Sequence, residues 1–210
     1  NKETGLGQLN RPKYPKFEGS ENFKGHSFHS AEWDHNYDLK GKKVGVIGTG
    51  PSAIGFIPKI ANKVDKLVIF QRTPNWIVPK PDRKFSSSEK WMFRNIPFIG
   101  RLYRFYEYIM AERLYFAFSM KEKKIFNIWE GIVSRLTTGF KLKSMKSMYL
   151  LGQKMLLDEQ ISEESLKKKL TPDYPVGCKR VIPTNDFYPA LERENVLLET
   201  NLISSFTSDS

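Results

Sequence analysis

Small residues occupy the first, third and sixth places of Gly48-Thr49-Gly50-Pro51-Ser52-Ala53. In that spacing the first glycine permits a tight turn and the second lets a diphosphate approach the backbone. The small sixth residue lets a helix pack closely on a strand. A helix opening beyond the turn adds unpaired N–H groups and a partial positive charge for phosphate oxygens. The six residues from Gly48 to Ala53 are therefore predicted to cradle a dinucleotide. Further on, a site for NAD needs an acid to accept the ribose hydroxyls. The chain instead reads Phe70-Gln71-Arg72-Thr73-Pro74-Asn75-Trp76, without an acid. The Arg72 guanidinium can grip a phosphate with two hydrogen bonds and the Thr73 hydroxyl can donate another, so charge alone favours NADPH over NADH. A second basic pair, Lys179-Arg180, follows the single cysteine, Cys178, which reads as a packing residue. His26, His29 and His35 fall within ten residues and invite a zinc site. A closed zinc site needs three or four ligands in paired spacing, and here the cysteine is distant while Glu32 and Asp34 read as ordinary loop acids. No metal is expected.

The elements around these residues suit the roles. Lys42-Lys43-Val44-Gly45-Val46-Ile47 is a short apolar run of the kind that forms a buried parallel strand. Pro51 sits where the first turn of a helix tolerates it, and Ile54, Ile57, Ile60 and Ala61 recur at helical spacing to about Asn62. Leu67-Val68-Ile69-Phe70 reads as a second strand, completing a β-α-β unit around the glycine turn. From Ser86 to about Leu170 the pattern becomes helical, opened by Ser86-Ser87-Ser88-Glu89 as a capping sequence. Ile99 to Met120 is aromatic on most sides, so this helix is expected to be buried or in contact with something apolar. Further helices are predicted over Ile125–Leu136, Met145–Leu157 and Ser162–Leu170, and a last strand over Asn195–Glu199. The fold class is α/β, a Rossmann-like parallel sheet with a large helical insertion.

Of the 210 residues, 40% are hydrophobic and 13% aromatic, enough to bury a core. One cysteine excludes an intrachain disulfide and makes the reducing cytoplasm the expected compartment. The opening residues Asn1 to Gly7 have no signal-peptide character, and no run of about 18 apolar residues offers a membrane span. The net charge is +11 and uneven: Lys84 to Leu150 holds thirteen Lys and Arg against five Glu and no Asp, an excess of 13 − 5 = 8. A solvated helical face explains such a stretch first. Interleaved Phe, Tyr, Leu and Met leave a weak peripheral membrane contact as a second reading. Nucleic acid is not expected as a partner, because no nucleic-acid module is recognisable.

Upstream of the glycine turn, Phe23-Lys24-Gly25-His26-Ser27-Phe28-His29-Ser30-Ala31-Glu32-Trp33-Asp34 has the form Phe-x-Gly-x-x-x-His-x-x-x-Trp-Asp. This string, in this order and separation from the turn, resembles the fingerprint of Baeyer–Villiger monooxygenases. The Gln71-to-Trp76 string is similar to that family's 2′-phosphate site, and Leu170-to-Arg180 to the segment bearing its active-site arginine. The resemblance implies an FAD- and NADPH-dependent enzyme that uses O2 to convert a ketone to an ester or lactone through a C4a-peroxyflavin. It makes Arg180 the catalytic residue and Lys179 a second contact to the 2′-phosphate. Phe23, Gly25, His29, Trp33 and Asp34 become the fingerprint at a domain linker, with His29 orienting the linker while domains move. It also implies that 1–40 is a linker and edge of the FAD domain, 41–205 the NADPH-binding domain with its insertion over about 86–170, and 206–210 the start of a return. The family's first FAD motif has no counterpart here, so the expectation is an internal fragment, inactive alone, with the FAD site mostly outside it. Two alternatives stay open: oxygenation of nitrogen or sulfur by the same cofactors, and an NADPH-binding module without catalysis.

Overall fold

Apolar residues at alternate positions of Leu67-Val68-Ile69 carry the centre of a parallel sheet, with Leu67 and Ile69 fully buried. The computed structural model describes residues 12–80, 82–119 and 145–208. They divide into two compact units. The first comprises Asn1–Pro74, Glu163–Leu170 and Asp186–Ser210, and the second Asn75–Ser162 and Thr171–Asn185.

In the first unit, strand β1 (Lys43–Ile47) runs parallel to β2 (Lys66–Phe70), pairing Lys43 with Lys66 and Ile47 with Phe70. Helix α1 (Pro51–Ala61) is the crossover between them. It buries Ala53, Ile54, Ile57, Ile60 and Ala61 along one stripe, each large residue stabilising the unit by roughly 1.5–3 kcal/mol. That burial carries the helix through Pro58, which lacks the N–H for one internal bond. On the other side of β2 lies β5 (Val196–Glu199), also parallel, pairing Leu67 with Val196 and Phe70 with Glu199. The predicted first residue of that strand, Asn195, serves as a clasp instead. Its Nδ2 donates to the carbonyls of Ala61 at 2.9 Å and Val64 at 3.0 Å, satisfying acceptors at the end of α1. A short helix absent from the sequence reading, Phe187–Leu191, packs Phe187, Tyr188, Ala190 and Leu191 into the same core. It is too short for a helical period to stand out.

The second unit holds helices α2 (Ser87–Asn95), α3 (Ile99–Ser119) and α4 (Met145–Gln160). Its strands β3 (Ile77–Val78) and β4 (Ile182–Pro183) pair in parallel. Two-residue strands leave no alternation to read, and neither was predicted. The predicted helix Ile125–Leu136 lies outside the described residues. The helix predicted over Ser162–Leu170 belongs to the first unit and spans Glu164–Leu170.

Of the two alternatives for α3, burial does not hold in its first half: Leu102, Phe105, Tyr106 and Tyr108 are exposed. In this half Tyr103 packs inward, meeting Phe85 and Phe93 at centroid distances of 5.7 and 5.3 Å.

Ser86 caps α2 as predicted, forming a complete capping box with Glu89. Arg83 grips the Glu89 carboxylate with both guanidinium nitrogens at 3.0 and 2.7 Å, and the Ser86 N–H donates to it at 2.7 Å. The Arg83 bond first, then the two Ser86 bonds, lower the Glu89 pKa from 4.5 to about 2. Its folded pKa is depressed, so its contribution is present above pH 4.5 and is lost as pH falls towards 2. The expected result is a Glu89 carboxyl resonance titrating well below that of a free glutamate, with fraying of α2 over the same range. Titration near pH 4.5 would contradict the box.

Candidate functional site

The turn after β1 has the geometry its composition predicts. Gly48 adopts φ +94, where a side chain would be strained, and a Cβ at Gly48 or Gly50 would meet nothing within 4 Å. The Gly48 N–H donates to the Phe70 carbonyl at 2.8 Å, tying the turn to the end of β2. Gly50 is the N-cap of α1, Pro51 follows in the first turn, and Ala53 is buried. The side of the turn towards Gly50, Pro51 and Ser52 is exposed while Thr49 is buried. A bare backbone concavity at a helix N-terminus can accept phosphate oxygens without displacing protein atoms. The residues fit a dinucleotide.

Arg72 and Thr73 leave the same carboxyl edge of the sheet, two and three positions beyond Phe70. Arg72 is exposed; the residue that places it is Gln71, only 3% exposed. The Gln71 backbone N–H donates to the Glu199 carbonyl at 2.8 Å, and its side-chain amide donates to the Lys169 carbonyl at 2.9 Å. Both bonds hold the start of the Arg72 loop from two directions. Glu199, the acid at this edge, is taken up locally. The backbone N–H groups of Thr200 and Asn201 each reach its carboxylate at 3.0 Å, and the Asn201 bond leads in lowering its pKa.

The segment from Phe23 to Asp34 is mostly loop, with a short 3-10 turn over Ser30–Glu32. Each named residue has a specific contact. The Phe23 ring covers Gly25 so closely that a Cβ there would overlap it, which explains why glycine follows at that spacing. Trp33 meets Phe28 at 5.2 Å and Phe56 of α1 at 5.1 Å, both edge to face, fastening the segment to the helix behind the glycine turn. Asp34 accepts from the Asn36 N–H at 3.0 Å and pairs with His26 Nε2 at 3.0 Å, and the His26 ring stacks on Tyr37. His29 Nδ1 accepts from the Ala31 N–H at 3.1 Å. Tyr14 accepts from the His29 backbone N–H and donates to Glu32, each at 3.2 Å. Tyr14 lies in the stretch assigned to the linker and edge of the FAD domain, and nothing in the sequence marks it. Among the described residues, no three of His, Cys, Asp and Glu gather as metal ligands would.

Lys179 and Arg180 belong to the second unit, on an exposed loop leading into β4. The loop is stitched at its base. Trp76 donates its indole N–H to the Tyr174 carbonyl at 3.1 Å, and its own carbonyl accepts from Ile182 at 2.8 Å. Asn185 and Lys80 exchange two bonds of 2.9 Å. The Lys179 ammonium stands 4.8 Å over the Tyr174 ring, a contact that limits its excursions. Burial, then Asp173 and Cys178, push the Tyr174 pKa up. Cys178 itself is exposed, contrary to its reading as a packing residue. Gly177 at φ +97 turns the chain, and Val176 and Ile182 fill the interior on either side.

A family model described as flavin-binding monooxygenase-like matches residues 5–141. A Baeyer–Villiger monooxygenase of Pseudomonas aeruginosa is 40% identical over 206 residues, covering 98% of this chain and 35% of that protein. A second, from Streptomyces coelicolor, is 38% identical over 190 residues, covering 90% and 33%. The chain thus spans about a third of the length of these relatives. Among solved structures, a cyclohexanone monooxygenase from Rhodococcus bound to NADP+ matches with a TM-score of 0.66 at 24% identity, covering 96% of this chain and 41% of that one. A polycyclic ketone monooxygenase from the fungus Thermothelomyces thermophila matches at 0.69 and 20% identity, covering 94% and 36%; at such identities the likeness is one of fold. With the fingerprint and glycine turn in one unit and two-thirds of the chain matched by one family model, the chain belongs to the flavin-binding monooxygenase-like family.

Proposed function

We propose that this chain is the NADPH-binding part of an FAD-dependent monooxygenase that converts a ketone to an ester or lactone. The observation that carries the reading is the shared carboxyl edge of β1 and β2. There the open Gly48–Gly50 concavity and the Arg72-Thr73 pair stand on adjacent, directly bonded strands. In this reading Gly48, Thr49, Gly50, Pro51, Ser52 and Ala53 receive the diphosphate, and the α1 N-terminus supplies donors. Arg72 forks onto the 2′-phosphate and Thr73 adds a hydroxyl. When both cofactors are bound, NADPH would supply a hydride and the flavin would pass the electrons on to O2. Ketone, O2, NADPH and a proton balance as ester, water and NADP+. Arg180 contributes a permanent positive charge that favours the anion developing during oxygen transfer.

The same reading gives Phe23, Gly25, His29, Trp33 and Asp34 the role of seating the segment that joins the NADPH-binding and FAD domains. The parallel bridge between Glu18 and Ser205 supports assigning 1–40 and 206–210 to the FAD-domain side. Product analysis of the full-length protein with NADPH, O2 and a panel of cyclic and linear ketones tests the reading. Ester or lactone formation is the expected result. Oxidation of a thioether or amine with no ester or lactone formed from any ketone would move the activity to heteroatoms.

A further inference from the structure

The second unit presents a face that the cofactor reading does not use. Tyr103 fixes which side of α3 turns inward, against Phe85 and Phe93, and Glu107 on the same side hydrogen-bonds its hydroxyl. Helical spacing puts Arg101, Phe105 and Tyr108 on the opposite side, with Leu102 and Arg104 along its margins. These side chains are open: Leu102 is 66% exposed, Phe105 62% and Tyr108 57%. Helix α2 repeats the arrangement, with Phe93 against Phe85 while Trp91 is 60% exposed and Arg94, three residues on, is also exposed.

Between the two helices Phe98 takes φ +70, a left-handed conformation that bulky residues rarely adopt, and stands 66% exposed. Its ring lies 5.6 Å beneath the Arg101 guanidinium. The face of α3 with the Phe98 turn therefore combines four large apolar side chains with Arg101 and Arg104, and the exposed side of α2 carries the same composition in Trp91 and Arg94. Of the acids in α2 and α3, Glu89 is held by Arg83, Glu107 sits on Tyr103's side, and helical spacing leaves Glu112 as the one acid on the side of Arg101.

We propose that this face of α3, with the Phe98 turn, docks the protein peripherally on an anionic phospholipid bilayer. Trp, Tyr and Phe rings suit the boundary between headgroups and acyl chains, and guanidinium groups among them match lipid phosphates. Charge complementarity selects this occupant over a second copy, because a two-fold contact would set Arg101 and Arg104 against like charges. Among the described residues no helix is long and apolar enough to cross a membrane, which fits binding at the surface. The inference stands apart from the cofactor reading and survives its failure.

The test is co-sedimentation of the full-length protein with vesicles of phosphatidylcholine alone and of phosphatidylcholine with phosphatidylglycerol, at low and high salt. Binding is expected only to the anionic vesicles, weakening as salt rises. Arg101→Gln/Arg104→Gln, at exposed helical positions that tolerate glutamine, should lower the partition coefficient by about tenfold or more. Phe105→Ser/Tyr108→Ser should lower it by a similar factor, on the order of tenfold, with unchanged circular dichroism. Absence of binding to anionic vesicles, as when the rest of the protein covers the face, overturns the proposal. So does binding that both variants leave intact. A self-association or an acidic protein partner that these variants abolish, without vesicle binding, assigns the face to a protein contact instead.

Discussion

Arg180→Ala in the full-length protein is expected to retain FAD and NADPH while ketone oxygenation falls by on the order of a hundredfold or more. A charge acting on an anion formed along the reaction path affects the chemical step more than ground-state binding, so kcat and kcat/KM should fall together. Electrons still taken from NADPH would then appear as hydrogen peroxide, measurable by a coupled peroxidase assay. Arg180→Lys should rescue poorly, since an ammonium keeps the charge and loses the planar fork. The loop's base supports the choice of variant: Trp76, Tyr174 and Ile182 hold it without any bond to Arg180, so truncation leaves the loop seated. Normal ester formation by Arg180→Ala would remove this residue from the reaction.

The second large effect concerns cofactor choice. Arg72→Ala should raise the KM for NADPH by about ten- to hundredfold, the consequence of losing a charged hydrogen-bond pair of roughly 1.5–3 kcal/mol. The KM for NADH should stay nearly constant, because NADH lacks the phosphate. Arg72 is exposed, whereas Gln71 beside it carries the structural bonds, so the substitution does not disturb the sheet. Equal losses with both cofactors would point to a general role in the fold and against phosphate recognition.

What was legible in the chain followed from periodicity and from small residues. The run ending at Ile47, the Ile54–Ala61 stripe and the Leu67–Phe70 run announce the β-α-β unit because two short apolar runs flank a helical stripe, although of β1 only Val46 is buried and Ile47 is 47% exposed. The Ser86–Glu89 box was equally plain, being local and defined by residue type. What escaped the sequence depends on partners distant in the chain. Gln71 meets Lys169 across 98 positions, and Asn195 meets Ala61 across 134. No local pattern encodes such a pairing. The aromatic content of α3 was visible, but its exposure was not: composition counts apolar residues without saying whether anything covers them.

The bridge between Glu18 and Ser205 has a kinetic meaning. It joins positions 205 − 18 = 187 apart, and the Phe206 N–H donates to the Glu18 carbonyl at 2.8 Å beside it. Closing so long a loop from an open chain costs roughly 4–5 kcal/mol in entropy by the logarithmic law, too much for a single isolated bridge to nucleate. Once β1, β2 and β5 are in register, however, the connection shrinks to the stretches from Glu18 to Lys43 and from Glu199 to Ser205. The bridge is then a late closure, made after the sheet and lost before it. Gly19 shapes that seam: at φ +76, a Cβ there would lie 2.4 Å from the Phe206 carbonyl oxygen. A single methyl group at Gly19 would thus loosen the last-formed contact while leaving the earliest ones untouched.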